Sequence, residues 1–367
     1  MSGKRILILS ESFGAGHTRA AEAIKEGILS YHPDWQIHVL ELGTWLRPTL
    51  SHWITGIYLK TLRFSPKIWG MIYRRVQNRT VKPQFEFFLH RMIYAHILQL
   101  FHEYKPDLIV TTHPFPSAVV SRLKRMGLNI PLHTVITDYH VHGSWINTGV
   151  DYYYLPNHEA KLQMQQLGVS EKRLYITGIP THPNFWNKTD KRKIRKKLGL
   201  SDRPTLLYMG GGLGIGLSPD MLSTIHQYRD EMQILIVTGR NRTLYRSLKL
   251  DPSFNHPHIH IYPFVKNIDE LMDAADLLLT KPGGVTVAEA MAKGVPMIML
   301  NPIPGQEEEN YEYILQNQLG ISVKDMEELN NLLEQFIKEP YMISKYFKSL
   351  SKTYNGRNAV EQIIKNA

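Results

Sequence analysis

The sequence predicts an α/β protein with two doubly wound parallel sheets, and three observations support this fold class. Apolar runs of strand length alternate with amphipathic helical stretches, as in a parallel sheet covered by helices. The alternation breaks around residues 177–186, where two prolines interrupt it, and then starts again. At 367 residues the chain is also long enough for two domains. We therefore expect two domains of similar size, joined near residues 180–190.

The strands of each half follow from apolar runs bounded by turn residues. In the first half they are RILILS, WQIHVLEL, PDLIVTT, LHTVITD and DYYYLPN. In the second half they are PTLLYMGGG, MQILIVTG, HIHIYPF, ADLLLTKPGG and VPMIMLNP. Ligands of doubly wound sheets bind at the carboxyl ends of the strands, and most of these runs end in Gly, Thr, Asp or His. The predicted ligand site is therefore the cleft between the two domains.

The composition excludes several classes of site and location. The chain has no cysteine, which excludes disulfides, thiolate zinc sites and cysteine nucleophiles. It has no H-E-x-x-H or D-x-D cluster, so no metal site is predicted. The apolar run at the N-terminus is too short for a signal peptide, and no stretch approaches the roughly 20 apolar residues of a membrane-spanning helix. We expect a cytoplasmic protein.

One segment concentrates the positive charge of a chain whose formal net charge is +10. Between Leu42 and Phe85 there is no Asp or Glu, and basic residues alternate with aromatic ones. Such a mixture suits an anionic bilayer surface, where each Lys or Arg contributes about 1 kcal/mol. Nucleic acid is a second possible partner, and a basic helical hairpin with its aromatic residues in the core is a third interpretation.

Each half begins with a strand that leads into a glycine loop. SFGAGHTRA matches the dinucleotide fingerprint G-x-G-x-x-G at Gly14 and Gly16, but Arg19 occupies the position of the third glycine. Neither this loop nor MGGGLGIGL is followed by the G-K-[ST] of a phosphate-binding P-loop. The two glycine loops therefore fit neither the NAD-binding nor the ATP-binding motif well. The glycines indicate a close approach to the backbone, either by a ligand or by another turn.

His17 is the first candidate catalytic residue, because it directly follows Gly16 at the predicted start of a helix. The positive end of the helix dipole disfavours an imidazolium there and keeps the ring neutral and able to accept a proton. The alternative is a packing or capping histidine, one of 17 in the chain.

The segment KPGGVTVAEAMAKG predicts an anion site at a helix start. Free backbone N–H groups after Gly283 and Gly284, together with the helix dipole, favour a bound anion. The Thr286 hydroxyl can bond a phosphate oxygen, and Glu289 lies one turn further on the same helix face. The alternative is a capping box from Thr286 to Glu289 with nothing bound. The helix should end at Gly294.

The segment NPIPGQEEENYEYI places polar side chains after the next strand. Gln306, Glu307 and Asn310 belong to it, together with Glu308 and Glu309. Amides and carboxylates can bond several hydroxyls at once, as binding of a sugar requires. A diphosphate at one loop and a polyol at the next describe a nucleotide-sugar.

With FGAGH, TDYHVHGSW and TGIP in the same order, these motifs resemble those of one glycosyltransferase family over nearly the whole chain. The family comprises bacterial diacylglycerol glucosyltransferases and plant monogalactosyldiacylglycerol synthases, relatives of the peptidoglycan N-acetylglucosaminyltransferase. The resemblance implies a B-type fold with two Rossmann-like domains facing a cleft. Residues 1–183 would form an acceptor and membrane-docking domain, and residues 184–345 a domain that binds the nucleotide-sugar. A C-terminal helix at about 346–367 would pack back on the first domain.

The resemblance also assigns roles to residues. Gly283, Gly284 and Thr286 would hold the diphosphate of a UDP-sugar, and Glu289 would hold the ribose. Gln306 and Glu307 would bind the sugar, and Asn310 would support them. Phe264 and Val265 would contact uracil, and the Gly211–Gly212 loop would face the phosphates. Gly16 would be a further donor-binding residue. His182 stands where relatives often carry an arginine.

On the acceptor side, the resemblance implies that His17 is the general base and that Asp138 is a second candidate. His142 and Trp145 match acceptor residues of the family. The basic, aromatic segment would dock on anionic lipid through Trp53, Tyr58, Arg63, Trp69, Arg74 and Arg75.

The predicted reaction is inverting transfer of a hexose, glucose in the first instance, from a UDP-sugar to diacylglycerol at the inner face of the cell membrane. We expect no tightly bound cofactor, no metal and no nucleic acid. Four alternatives remain open: transfer of N-acetylglucosamine to a polyprenyl-linked acceptor, epimerisation of a nucleotide-sugar, a catalytically silent sensor of nucleotide-sugars, and a nucleic-acid binder.

Overall fold

The computed structural model describes residues 3–11, 15–46, 97–212, 214, 216–300, 302, 306–340 and 356–367. Contacts group the chain into two compact units. Unit 1 comprises residues 1–183 with the short segments 303–306 and 355–367, and unit 2 comprises residues 184–302 and 307–354. Each unit contains one parallel sheet of six strands.

Unit 1 has the strand order β2-β1-β3-β4-β5-β6. Its strands are β1 (Arg5–Ser10), β2 (Gln36–Glu41), β3 (Leu108–Thr111), β4 (Leu132–Val135), β5 (Tyr152–Leu155) and β6 (Leu174–Ile176). Its helices are α1 (Ala15–Tyr31), α2 (Leu42–Leu46), α3 (Pro114–Arg125) and α4 (His158–Gln166), and residues 97–104 are also helical. Short 3₁₀ turns lie at Gly143–Trp145, Glu171–Arg173 and, at the end of the unit, Pro183–Phe185.

Unit 2 has the strand order β12-β11-β10-β7-β8-β9. Its strands are β7 (Thr205–Met209), β8 (Gln233–Val237), β9 (Ile259–Tyr262), β10 (Leu277–Thr280), β11 (Met297–Met299) and β12 (Ile321–Ser322). Its helices are α5 (Lys191–Lys197), α6 (Pro219–His226), α7 (Arg242–Leu250), α8 (Ile268–Ala274), α9 (Gly284–Lys293), α10 (Gln306–Gln316) and α11 (Met326–Lys338), with a 3₁₀ turn at Pro252–Phe254.

The central strands are buried on both faces, which explains their continuous apolar sequence. In β1 every residue from Ile6 onward is buried, and β7, β8 and β10 are buried throughout. Parallel strands covered by helices on both faces have no polar side, so their sequences do not alternate. The prediction of an α/β fold with two doubly wound sheets is confirmed.

The last helix, α12 (Arg357–Asn366), packs against α1 within unit 1. The Tyr31 hydroxyl donates to Glu361 Oε1 at 2.8 Å, and Asn366 Nδ2 donates to the Tyr154 hydroxyl at 3.2 Å. The C-terminal helix is therefore fixed at two points on unit 1. Among the described residues, no helix has both the length and the apolarity to cross a bilayer.

Each sheet changes its winding direction at one point. In unit 1 the chain passes from β1 to β2 on one side and continues from β3 on the other, so the switch lies between β1 and β3. In unit 2 the equivalent switch lies between β7 and β10. At a switch point the loops leave in opposite directions and open a crevice, so doubly wound proteins bind their ligands there.

Candidate functional site

His17 lies at the switch point of unit 1. It is the third residue of α1, which follows β1, and its side chain is almost fully buried. Gly16 lies in the same first turn of the helix. The backbone carbonyl of His17 accepts from Thr112 Oγ1 at 3.0 Å, which ties the start of α1 to the end of β3. The structure thus holds the predicted catalytic histidine where two neighbouring strands end.

The hydrogen bonds of the His17 ring determine which nitrogen carries the proton. Nδ1 lies 2.9 Å from the carbonyl oxygen of Thr112 and 2.8 Å from Thr137 Oγ1. A carbonyl oxygen can only accept, so in the neutral ring Nδ1 donates and Nε2 carries the lone pair. Nε2 has no hydrogen-bond partner among the described residues. The ring is therefore oriented as a proton acceptor through Nε2.

Burial lowers the pKa of His17 to about 4, and the hydrogen bond to the Thr112 carbonyl opposes this only in part. Removal from water disfavours the charged imidazolium, whereas the carbonyl acceptor favours it. Near pH 7 the ring is neutral, as a general base must be before it takes a proton.

Two further histidines surround His17. His113 meets it edge to face, with ring centroids 4.7 Å apart, and accepts from the backbone N–H of Phe115 as the N-cap of α3. Burial lowers the pKa of His113 well below its usual range, and the neighbouring histidines lower it further. Burial likewise lowers the pKa of His142 to about 4. The cluster consists of neutral rings near pH 7, which avoids repulsion between buried charges.

Asp138 and Trp145 are both buried near this cluster. Asp138 follows Thr137 beyond the end of β4, so it lies one residue from a hydrogen-bond partner of His17. The Trp145 ring has no exposed surface and lies 6.3 Å from His17 and 6.1 Å from His142, measured between ring centroids. Trp145 therefore contributes to the core of unit 1 and can influence an acceptor only through its neighbours.

With His17 as the predicted general base of sugar transfer, the pH dependence of kcat/KM for that reaction should show the lowered pKa of His17. We expect kcat/KM to fall about tenfold per pH unit below about pH 4, because protonated His17 cannot accept a proton. An ordinary histidine would place this acid limb near pH 6.5. The measurement is the initial rate at low substrate, with circular dichroism at each pH to exclude unfolding. An acid limb near the ordinary value would contradict a buried, neutral base.

At the switch point of unit 2, the glycine loop after β7 packs mainly against another turn. A Cβ on Gly214 would lie 2.1 Å from the Thr238 carbonyl oxygen, and one on Gly239 would lie 2.7 Å from that of Gly212. Gly211 differs: it has φ +71° and would meet nothing within 4 Å. Of the two interpretations of the glycines in this loop, backbone packing applies to Gly214, which lies against the turn at Thr238 and Gly239, whereas Gly211 has open space where a side chain would stand.

The start of α9 has the arrangement expected for an anion site. Gly283 is the N-cap and makes no side-chain cap hydrogen bond, and its carbonyl accepts the first helical bond, from Val287. The backbone N–H groups of Gly284, Val285 and Thr286 precede that bond and have no acceptor within the helix. Thr286 Oγ1 lies 3.9 Å from the position of a Cβ on Gly283.

The capping-box alternative is wrong, since Thr286 and Glu289 both lie inside the helix rather than at its N-cap. Glu289 is buried one turn into α9. The predicted end of this helix is confirmed: Gly294 is the C-cap, with φ +67°.

The first turn of α10 is attached to the loop before α9. Glu307 Oε1 forms an ion pair with Lys281 Nζ at 2.8 Å, and Asn310 Nδ2 donates to the Pro282 carbonyl at 3.2 Å. Gln306 is the first residue of α10. The residues predicted to bind a sugar thus begin a helix that contacts the predicted diphosphate loop.

Phe264 and Val265 follow β9 at the same end of the sheet. The Phe264 side chain is 44% exposed, so a flat ring can stack on it, and Val265 is half-buried. The Arg240 guanidinium, in the turn after β8, lies 5.5 Å from the centroid of the Phe264 ring.

Sequence reasoning missed three residues at these strand ends: His113, Lys281 and Arg240. Each comes within a few residues of the last residue of a predicted strand. Because ligands bind at the carboxyl ends of strands, the positions of these residues could have indicated that they are candidates. A single sequence does not show which of these side chains lie together.

The predicted membrane contacts at Trp53, Tyr58, Arg63, Trp69, Arg74 and Arg75 lie outside the described residues. Within the described ranges, no group of three or more acidic residues and histidines has the geometry to hold a metal ion.

Known proteins match the chain along its length. The family model for monogalactosyldiacylglycerol (MGDG) synthase matches residues 17–181, and the model for the glycosyltransferase family 28 C-terminal domain matches residues 210–366. The processive diacylglycerol beta-glucosyltransferase of Bacillus pumilus is 31% identical over 373 residues, which cover 100% of this chain and 96% of the relative. The chain belongs to this diacylglycerol glucosyltransferase family. The resemblance recognised from the motifs is confirmed.

Solved structures of the family's fold resemble the chain as a whole. MurG of Acinetobacter baumannii has a TM-score of 0.65 at 14% identity and covers 99% of both chains. The Anabaena protein HepE, solved in complex with UDP and glucose, has a TM-score of 0.55 at 14% identity and covers 99% of this chain and 98% of its own. At this identity the likeness concerns the fold alone, and it agrees with two Rossmann-like sheets.

Proposed function

We propose that the chain is an inverting hexosyltransferase that moves a sugar, glucose in the first instance, from a UDP-sugar to diacylglycerol. One observation carries the proposal: at the switch point of unit 2, the loop that leads into the helix start at Gly283 contacts Glu307 on α10 through Lys281, so the proposed anion site and the proposed polyol site adjoin. The B. pumilus relative, a processive diacylglycerol beta-glucosyltransferase, supports the acceptor and the sugar.

The diphosphate and the ribose of the donor bind to residues of α9 in unit 2. Gly284 and Thr286 hold the diphosphate with backbone N–H groups and a hydroxyl, and the helix dipole stabilises the charge. Glu289 binds the ribose. The same contacts strengthen as charge develops on the departing UDP, so they lower the barrier for bond cleavage.

The remaining donor contacts lie in the neighbouring loops. Phe264 and Val265 pack on uracil, and Gly211 and Gly212 approach the phosphates. Gln306 and Glu307 bond the sugar hydroxyls, with Asn310 supporting that turn. HepE, solved with UDP and glucose, supports a donor site of this kind in this fold.

Unit 1 provides the proton acceptor. A hydroxyl oxygen of diacylglycerol attacks the anomeric carbon, the bond between that carbon and the β-phosphate oxygen breaks, and the hydroxyl proton moves to His17 Nε2. Attack opposite to the leaving UDP inverts the configuration. Asp138, next to Thr137, orients the acceptor or the ring. His142 contributes to the acceptor side, with Trp145 buried beside it. Gly16, in the first turn of α1, contributes to the donor side.

The acceptor is a membrane lipid, so the enzyme must work at a bilayer surface. We place it as a peripheral protein on the inner face of the cell membrane, held there by the basic and aromatic residues between Leu42 and Phe85. Electrostatic attachment of this kind weakens as salt concentration rises.

Release of UDP tests the proposal directly. The purified protein is incubated with UDP-glucose, UDP-galactose or UDP-N-acetylglucosamine and anionic vesicles that contain diacylglycerol. We expect release from UDP-glucose at least tenfold above the rate with matched vesicles that lack diacylglycerol, and a glucosyl lipid as product.

Other outcomes identify the alternatives. Turnover of UDP-N-acetylglucosamine only, with a polyprenyl-linked acceptor, would favour the first alternative, and conversion of a donor without UDP release would favour an epimerase. Tight binding of UDP with no turnover on any acceptor would indicate a sensor, and no binding of UDP would contradict the proposal as a whole.

A further inference from the structure

Lys281 contacts three segments near the switch point of unit 2: the loop after β7, the loop between β10 and α9, and the first turn of α10. It directly follows β10, precedes the start of α9, and pairs with Glu307 on α10. We propose that Lys281 is a donor-binding residue whose ammonium group bridges the Glu307 carboxylate and the diphosphate of the UDP-sugar. This inference rests on the proposed function.

The side chain is held in place along its whole length. A Cβ on Gly216 would come within 2.7 Å of Lys281 Cγ and 2.9 Å of Cδ, so the methylene stem lies directly on that glycine of the loop after β7. The Gly283 N–H donates to the Lys281 carbonyl at 2.8 Å, which fixes the backbone beside the helix start. Only a residue without a side chain at position 216 leaves room for this path.

The ion pair is poorly exposed to solvent. The Lys281 and Glu307 side chains retain 13% and 22% of their exposure, and Nζ lies 2.8 Å from Oε1. An ammonium has three donors, and this bond uses one. The position of Lys281 next to Gly283, where the diphosphate is proposed to bind, leaves donors for a phosphate oxygen.

The reason for a cation at this point is electrostatic. A carboxylate that bonds sugar hydroxyls and a diphosphate attached to the same sugar are both negative and must lie a few ångströms apart. In a site of low exposure two like charges at such a distance destabilise each other strongly. An ammonium between them makes both interactions favourable, so one residue couples recognition of the sugar to recognition of the diphosphate.

The test measures binding of UDP and of uridine by titration calorimetry. In Lys281→Met the unbranched side chain keeps the contact with Gly216 and loses the charge. We expect the Kd for UDP to rise about 10–100-fold, the range for a charge-assisted hydrogen bond, while the Kd for uridine changes less than about twofold. Lys281→Arg, which keeps the charge, should retain more of the affinity for UDP than Lys281→Met.

A double variant distinguishes the bridge from a structural role. If Lys281 balances the Glu307 carboxylate, then Lys281→Met/Glu307→Gln should bind UDP at least fivefold more tightly than Lys281→Met alone, since the unbalanced negative charge is gone. Lys249→Met, an exposed lysine on α7 of the same unit, is the matched control and should bind UDP as the wild type does.

The inference is overturned if Lys281→Met binds UDP within twofold of the wild type, or if UDP and uridine lose affinity equally. Failure of the double variant to recover affinity would also overturn it, because the loss would then come from structure. A wild-type protein that binds no UDP would instead contradict the proposed function, so the two failures are distinguishable.

Discussion

Replacing His17 by alanine is expected to lower kcat for glucosyl transfer to diacylglycerol by about 10²–10⁴-fold, the usual contribution of a positioned general base. The reason is the orientation of the ring: Thr112 and Thr137 hold Nδ1 as the donor, so Nε2 is the atom that takes the proton. UDP affinity should stay within about twofold, because the His17 side chain is not among the proposed donor contacts. The measurements are steady-state kinetics and titration with UDP.

The matched control is His102→Ala, an exposed histidine of the same unit, which should keep the wild-type kcat. Thr137→Val tests the orientation separately: it removes one acceptor of Nδ1–H but leaves the Thr112 carbonyl, so kcat should fall less than in His17→Ala. A loss below tenfold in His17→Ala would assign the role of base to another group, and Asp138→Asn would then be the variant to measure.

The fold was predictable because strand identity in a doubly wound protein is a local property. Ten of the twelve strands lie in runs that are rich in apolar residues and bounded by turn residues, and such runs are visible without any knowledge of packing. The two missed strands, β6 and β12, are three and two residues long and lie at sheet edges. Pairing with a neighbour, which no local pattern records, is what makes these segments strands.

The predicted donor residues lie close together because each of them follows the carboxyl end of a neighbouring strand. Gly283, Thr286, Glu307 and Asn310 follow neighbouring strands, β10 and β11, and parallel strands end at the same edge. Their side-chain partners were not predictable. The ion pair of Glu307 with Lys281 joins residues 26 positions apart, and the contact of His17 with Thr112 joins residues 95 apart.

The glycine loop after β7 is a second case in which the sequence does not show what a residue contacts. The sequence indicated a close approach to the backbone but left two partners open, a ligand or a turn. The answer differs from glycine to glycine: a Cβ on Gly214 would meet backbone atoms of the turn after β8, whereas one on Gly211 would meet nothing within 4 Å. Identical residues in one loop thus have different roles, and only coordinates separate them.

Lys293→Met is expected to lower the free energy of unfolding of unit 2 by about 3–5 kcal/mol, the usual cost of removing one partner of a buried ion pair. Lys293 Nζ lies 2.7 Å from Asp273 Oδ2, and the two side chains are 1% and 3% exposed. Lys293 Nζ also donates to the Asn187 carbonyl at 2.7 Å. Without the ammonium, the buried Asp273 carboxylate loses its ion pair and keeps the hydrogen bond from the Thr189 N–H at 3.2 Å. Urea unfolding followed by circular dichroism measures the loss.

The double variant Lys293→Met/Asp273→Asn removes the unbalanced charge as well, so it should recover part of the loss. The matched control is Lys197→Met: the Lys197 side chain is 62% exposed and that of its partner Glu270 is 22% exposed, so water solvates the pair and the cost should stay below about 1 kcal/mol. A cost below 1 kcal/mol for Lys293→Met would mean that water reaches Asp273 in the variant.

In the sequence, Lys293 is an ordinary basic residue in the last turn of a helix, where it stabilises the dipole. Its burial arises from the packing of α8 and of the segment around Asn187 against that turn, so the largest expected effect on stability falls on a residue that no motif distinguishes.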